Sequence, residues 1–226
     1  MQTKVLKKNN LSPFSVLCGY KIDICNIPKR NDNLILSDQE QAVVKIIESL
    51  DAVASFQLED LMWTKNTARR KLRRLSNYNI IGRYKLIGDY TLNVYTMNKL
   101  SDVDKVLRTL ALNQLYIKML KLAPCSMLKS EKPLDAYIKF KEITFSVMVV
   151  RGNDNTKTLP FIVSTRLLTD INRLIIISEE FYPEYKTLDG RVRITTDRDL
   201  IERPLFDAFY LPDGRRDNAK IFDVHD

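Results

Sequence analysis

The sequence predicts an α+β protein in which an N-terminal winged helix-turn-helix precedes a long connector helix and a C-terminal α/β domain with a mixed sheet. Three observations predict this class. Apolar residues recur at helical spacing in the N-terminal half until two β-rich runs follow, a long apolar helix then ends at a proline, and five further β-rich runs occupy the rest. The expected divisions are an irregular arm at 1–36, the winged helix at 37–98, the connector helix at 99–123 and the α/β domain at 124–226.

The first helix is expected to begin after Ser37, because Ser37-Asp38-Gln39-Glu40 is a capping box. In this motif a hydroxyl and a carboxylate satisfy backbone N–H groups that lack helical partners. Apolar residues recur at helical spacing as far as Leu50, which predicts the end of the helix. A short second helix is expected over 56–61, after Ser55.

A third helix is expected from Lys65 to Tyr78, capped by Thr64. One narrow stripe of this helix is apolar, and it predicts the side that packs against the protein. The opposite half carries polar and basic residues: Asn66, Arg69, Arg70, Arg73 and Arg74. Two β-rich runs at 82–87 and 90–96, joined by Gly88-Asp89, then predict a hairpin. This order of elements is typical of a winged helix-turn-helix.

A long fourth helix is expected from the Ser101-Asp102 cap to about Leu122, before Pro124. Apolar residues cover much of its circumference, so it must be buried on several sides. Two interpretations stay open, a strut that joins two domains and a helix through which a homodimer forms.

Beyond Pro124, five runs rich in β-branched residues predict the strands of a largely buried sheet, with two short helices between them. The strands are expected at 136–140, 143–150, 160–164, 174–178 and 192–195, and the helices at 167–173 and 179–185.

The charge of the chain is concentrated in one window. The 226 residues include 36 Lys and Arg and 28 Asp and Glu, a net charge of +8. From Leu61 to Gly88 there is no acidic residue, and the basic residues there account for the whole net charge: Lys65, Arg69, Arg70, Lys71, Arg73, Arg74, Arg83 and Lys85. A local patch of this kind indicates a polyanionic partner. A solvated helix face usually carries acids four residues from its bases, and this helix has none.

Double-stranded DNA is the expected partner, because a recognition helix fits the wide major groove of DNA better than the grooves of RNA. The N-terminal part of the third helix would face base edges, with Asn66 pairing adenine and Arg70 pairing guanine, beside Lys65 and Arg69. Phosphates would be contacted one turn later and from the hairpin, by Arg73, Arg74, Arg83 and Lys85.

The composition indicates a cytoplasmic, non-enzymatic protein with no cofactor, metal or membrane partner. Three cysteines and one histidine are too few for a structural zinc site or most hydrolase triads, although a Cys18/Cys25 pair could bind a metal or become oxidised. No apolar stretch approaches the length of a membrane span.

Two other classes of function remain alternatives. A winged helix can dock an acidic patch of another protein, as an interaction scaffold. A divergent metal-dependent nuclease is the second alternative, since Asp135 precedes a strand that carries Lys139, with Lys141-Glu142 after it. The next strand lacks the acid that such a site requires, and Asp154 lies in the following loop.

The chain resembles the replication-relaxation proteins of Gram-positive plasmids and integrative elements. The resemblance covers about half the chain and lies in the Phe56-Gln57-Leu58 run, the basic stretch 69–75, the Tyr78-Asn79-Ile80-Ile81 run, the helical stretch 107–113 and Pro133-Leu134-Asp135-Ala136-Tyr137. It implies a winged helix followed by a degenerate nuclease-like α/β domain. It also implies a cytoplasmic DNA-binding accessory in plasmid or mobile-element replication, transfer or transcription control, with replication or conjugation proteins as further partners.

Overall fold

The computed structural model describes residues 11–29, 35–61, 65–152, 154–163 and 173–217, and leaves the side chains at 65 and 66 undescribed. These residues form an α+β protein with six α-helices and two β-sheets. The chain divides into two compact units, one at Val16–Asn113 and one that combines Leu11–Ser15 with the residues from 114 onward. The division falls inside the fourth helix, within the stretch expected to connect two domains.

The first unit contains three complete helices, the first part of the fourth helix and a four-stranded antiparallel sheet of order β1-β3-β4-β2. Its elements are β1 (Lys21–Asn26), α1 (Asp38–Leu50), β2 (Ala52–Ala54), α2 (Ser55–Leu61), α3 (Lys65–Asn77), β3 (Gly82–Ile87) and β4 (Thr91–Thr96). The three helices and the β3–β4 hairpin confirm the elements predicted for 37–98. Thr64, the expected cap of α3, lies outside the described residues.

The start of α1 confirms the predicted capping box. The Glu40 amide donates to the Ser37 hydroxyl at 3.4 Å, and the Ser37 amide donates to the Glu40 carboxylate at 3.0 Å. The helix ends at Leu50, where Asp51 takes a positive φ of 61°.

Strand β1 corrects the expectation that residues 1–36 form an irregular arm. It pairs antiparallel with β3, so the sheet extends one strand beyond the hairpin. Asn26 at its end donates to the carbonyls of Ser76 and Ile81 at 2.8 and 2.9 Å and accepts from the Ser76 hydroxyl at 2.9 Å. These bonds attach the last turn of α3 to the sheet.

Helix α4 (Val103–Leu120) begins where Asp102 accepts from the Lys105 amide at 3.1 Å, as the predicted cap requires. It is buried on several sides, as its apolar circumference predicted. Two buried amides fix its first half. Asn113 donates to the carbonyls of Leu50 and Ala52, and Gln57 donates to the Leu110 carbonyl at 2.7 Å. In the part of the chain that the structure describes, no helix has the length and apolarity to cross a membrane.

The second unit is built on a mixed six-stranded sheet of order β10-β9-β8-β7-β6-β5. Strands β7, β8 and β9 are parallel, and the remaining neighbours are antiparallel. The central strand β8 is buried along its whole length. The elements are β5 (Cys125–Lys129), β6 (Ala136–Phe140), β7 (Ile143–Val150), α5 (Leu159–Ile162), β8 (Leu174–Ser178), β9 (Val192–Thr196), α6 (Asp197–Glu202) and β10 (Phe209–Tyr210).

Four of the five strands predicted here are confirmed, and one prediction is wrong. Residues 159–162 form α5, a short helix with Pro160 in its first turn, where proline's fixed φ suits a helix. The helix expected at 179–185 is replaced by a 3₁₀ turn at Pro183–Thr187. Most of the helix expected at 167–173 lies outside the described residues.

Candidate nucleic-acid interface

Helix α3 has one buried side and one cationic side. Ala68, Leu72 and Leu75 are 0, 1 and 0% exposed, so the predicted apolar stripe forms part of the core. Four arginines project from the remainder of the helix and are exposed: Arg69, Arg70, Arg73 and Arg74. The packing of the stripe therefore determines which side of the helix meets solvent.

Arg69 is held by an acid from the neighbouring helix. Its Nε lies 2.6 Å from Oε1 of Glu59, and its Nη2 lies 3.1 Å from Oε2. The Glu59 side chain is only 8% exposed, whereas that of Arg69 is 62% exposed. These hydrogen bonds raise the pKa of the Arg69 guanidinium above its ordinary value. A nearly buried carboxylate on α2 thus fixes the orientation of an exposed guanidinium on α3.

Arg74 is held by the capping box of α1. Its Nη1 lies 3.1 Å from Oε1 of Glu40, a buried residue, and its guanidinium lies 6.0 Å from the centre of the Tyr78 ring. The Ser37 amide hydrogen bond, the Ser37 hydroxyl, and the charges of Arg74 and Lys71 lower the pKa of Glu40 below its ordinary value. The same carboxylate therefore starts α1 and positions a cation at the end of α3.

We expect Glu40→Gln to reduce the acid sensitivity of folding. Because the pKa of Glu40 is lowered in the folded protein, its stabilisation is complete above the ordinary value of 4.5 and is lost as the pH falls through the folded value. The variant should lose about 1 kcal/mol of unfolding free energy at neutral pH and show a flatter decline in that free energy as the pH falls below the ordinary value of 4.5. Urea unfolding measured at several pH values tests this.

Glu48→Gln is the matched control, because Glu48 lies on the same helix and is exposed. The unfolding free energy of this variant should depend on pH in the same way as that of the wild type. If the unfolding free energy falls as steeply at acid pH in Glu40→Gln as in the wild type, the role assigned to the Glu40 carboxylate is contradicted.

Arg70 and Arg73 differ from their neighbours. Both are exposed, and neither forms an ion pair with any described residue. Together with Arg74, Asn77 and Tyr78 they line an open hollow on the protein surface. The hollow brings together three of the predicted DNA contacts.

Arg83 and Lys85 occupy a different position. Both lie on β3, which is flanked by β1 on one side and β4 on the other. Along β3, the partly exposed Arg83 and Lys85 alternate with buried residues such as Tyr84. Neither Arg83 nor Lys85 lines the hollow. Arg83 donates to Asn93 at 3.3 Å, and Lys85 pairs in register with Asp23 of β1. The structure therefore does not group these two residues with the arginines of α3. The side chains of Lys65 and Asn66 lie outside the description.

Glu40 and Glu59 also belong to this surface, and the sequence alone does not place them there. Both precede the acid-free window in the chain, so a count along the sequence does not place them beside α3. The capping box places Glu40 in the first turn of a helix, but its burial beside α3 is visible only in the structure.

The carboxylates of the nuclease alternative have backbone partners. Asp135 accepts from the Val149 amide at 2.6 Å, and Asp154 accepts from the Arg151 amide at 2.8 Å. Within the ranges that the structure describes, no three Cys, His, Asp or Glu residues are grouped so that they could hold a metal ion. Among the residues that the structure describes, Cys18, Cys25 and Cys125 form no disulfide, and Cys18 is buried whereas Cys25 is exposed.

Comparisons of this chain with protein-family models, with curated proteins and with solved structures find no match.

Proposed function

We propose that the unit Val16–Asn113 is a winged helix that binds double-stranded DNA through α3. The observation that carries this proposal is the pair of exposed guanidinium groups, Arg70 and Arg73, which have no ion-pair partner among the described residues. The opposite side of the same helix is locked in the core. The order α1-β2-α2-α3-β3-β4, with β2 paired to β4, supports the winged-helix assignment.

The charge balance of this surface also favours a polyanion. Six Lys and Arg lie on α3, and the described ion pairs offset two of them through Glu40 and Glu59. A net positive helix that projects from a folded body can enter the major groove and release counterions from the phosphates. Arg70 and Arg73 are one turn apart, which is suitable for contacts along one backbone.

The biological role that we propose is that of a non-enzymatic accessory or regulatory protein. The resemblance to replication-relaxation proteins supports a role in plasmid or mobile-element replication, transfer or transcription control in the cytoplasm, with replication or conjugation proteins as partners. The second unit would then bind such a partner or assemble subunits.

Measurement of duplex binding against salt concentration tests the proposal. With six or more phosphate contacts, a plot of log affinity against log salt should have a slope of about −5 or steeper. Fluorescence anisotropy with a labelled random duplex gives this slope directly. A flat dependence between low and moderate salt would contradict binding through these cations.

Competition separates this function from the protein-scaffold alternative. If α3 serves only to dock an acidic patch of a partner protein, excess unrelated duplex should not displace that partner, whereas DNA binding through α3 predicts that it does. An A-form RNA duplex provides a further comparison, and the proposal predicts that it competes less well than DNA.

A further inference from the structure

We infer that Arg69 is the guanine-reading residue of α3 and that Glu59 is the residue that positions it. The inference rests on the proposed function, since it assigns specificity within the same surface. It revises the sequence-based assignment, which gave guanine to Arg70 and left Glu59 without a role.

The geometry of the Arg69–Glu59 pair leaves the correct edge of the guanidinium available. Glu59 accepts from Nε and Nη2, which form one side of the planar group. A guanidinium carries five N–H donors, so three remain, one on Nη2 and two on Nη1. The Nη1 and Nη2 donors together form a second fork, which matches the O6 and N7 acceptors that guanine presents in the major groove.

The burial of Glu59 makes this orientation persistent. Its side chain is 8% exposed and lies on α2, whereas Arg69 is 62% exposed on α3. A flexible arginine loses side-chain entropy when it binds a base, and a guanidinium that is already held in place loses less. Position also favours Arg69, because it lies one turn from the start of α3, where recognition helices contact base edges.

Arg70 and Arg73 have the opposite character. They have no acid partner among the described residues and can follow whichever phosphate lies nearby. Phosphate contacts of this kind strengthen binding to every sequence equally. Loss of the Glu59 carboxylate would add one net positive charge to this surface, so it should not weaken binding to random duplex.

The experiment begins with selection of a preferred site from random duplexes by the wild-type protein. Affinity is then measured for this site and for copies in which each G·C pair is replaced in turn. The proteins compared are the wild type, Arg69→Ala, Glu59→Ala and Arg70→Ala. Glu48→Ala is the control for loss of an acid, since Glu48 is exposed on α1.

Arg69→Ala should lose discrimination of about tenfold or more at one G·C pair. Glu59→Ala should lose most of the discrimination at that same pair, while its affinity for random duplex is retained or increased. Arg70→Ala should bind all sites more weakly and keep the discrimination. A purely structural role for Glu59 would not confine its effect to one base pair.

Three results would overturn the inference and leave the proposed function standing. The first is uniform weakening by Arg69→Ala across all sites, and the second is loss of guanine discrimination in Arg70→Ala. The third is selection by the wild type of a site without any G·C preference. If the wild type binds no duplex at any salt concentration, the proposed function and this inference both fail.

Discussion

Replacement of both Arg70 and Arg73 by glutamate should abolish duplex binding at moderate salt, with a loss of about a thousandfold or more. The substitution changes two cations into two anions within the hollow that also contains Arg74, so attraction to phosphate becomes repulsion. Both side chains are exposed on one side of α3, so the change does not alter the buried stripe. Anisotropy titration with a random duplex measures the effect.

The matched control is Lys139→Glu with Lys186→Glu, which makes the same change in net charge at two exposed positions of the second unit. It should weaken binding by much less, because those charges lie outside the proposed surface. The melting temperature of both double variants should stay close to that of the wild type. Retained duplex affinity in the Arg70/Arg73 variant would remove α3 as the DNA-binding element.

The fold of the first unit was largely predictable because its signals are local. The capping box, the stripe of Ala68, Leu72 and Leu75, and the Gly88-Asp89 turn each act over a few residues, and each is present in the structure. Strand β1 was missed although Ile22 and Ile24 alternate with polar residues. Its partner β3 lies about sixty residues away, and only the fold shows that the hairpin has a free edge there.

In the second unit the error at 160–164 has a clear physical cause. The run Pro160-Phe161-Ile162-Val163 has high β propensity, but proline lacks the N–H group that a central strand must donate and is favourable in the first turn of a helix. Strands β5 and β10 were not predicted. β10 has only two residues, and β5 is an edge strand with little burial.

The sequence predicted the basic residues of the candidate site but not the acidic residues that pair with them. A run without acidic residues indicates a positive surface, but the ion pairs that shape it come from Glu40 and Glu59, on other helices. The pairs decide which arginines are fixed and which are free, and this distinction depends on helix packing. Charge counted along the chain therefore predicted the surface and overestimated the number of unpaired cations on it.

Asp197→Ala should destabilise the second unit by about 3–5 kcal/mol. Arg151 Nη1 and Nη2 lie 2.7 and 3.1 Å from the Asp197 carboxylate, which also accepts from the Ser12 hydroxyl at 2.6 Å. Both charged side chains are 0% exposed. Removal of the carboxylate leaves the buried Arg151 guanidinium without the counter-charge that it pairs with in the folded protein. Urea unfolding measures the loss, and hydrogen exchange at 174–178 assigns it to this sheet.

Replacement of both partners distinguishes an unpaired charge from a damaged core. Arg151 Nε has no hydrogen-bond partner among the described atoms, so the pair is imperfectly satisfied and apolar side chains of similar volume should cost little. We therefore expect Arg151→Met with Asp197→Val to recover most of the stability that Asp197→Ala loses. Asp189→Ala, which breaks the exposed pair with Arg191, should cost less than about 1 kcal/mol. If the double variant is as unstable as Asp197→Ala, the destabilisation arises from lost packing around residue 197 and not from a stranded charge.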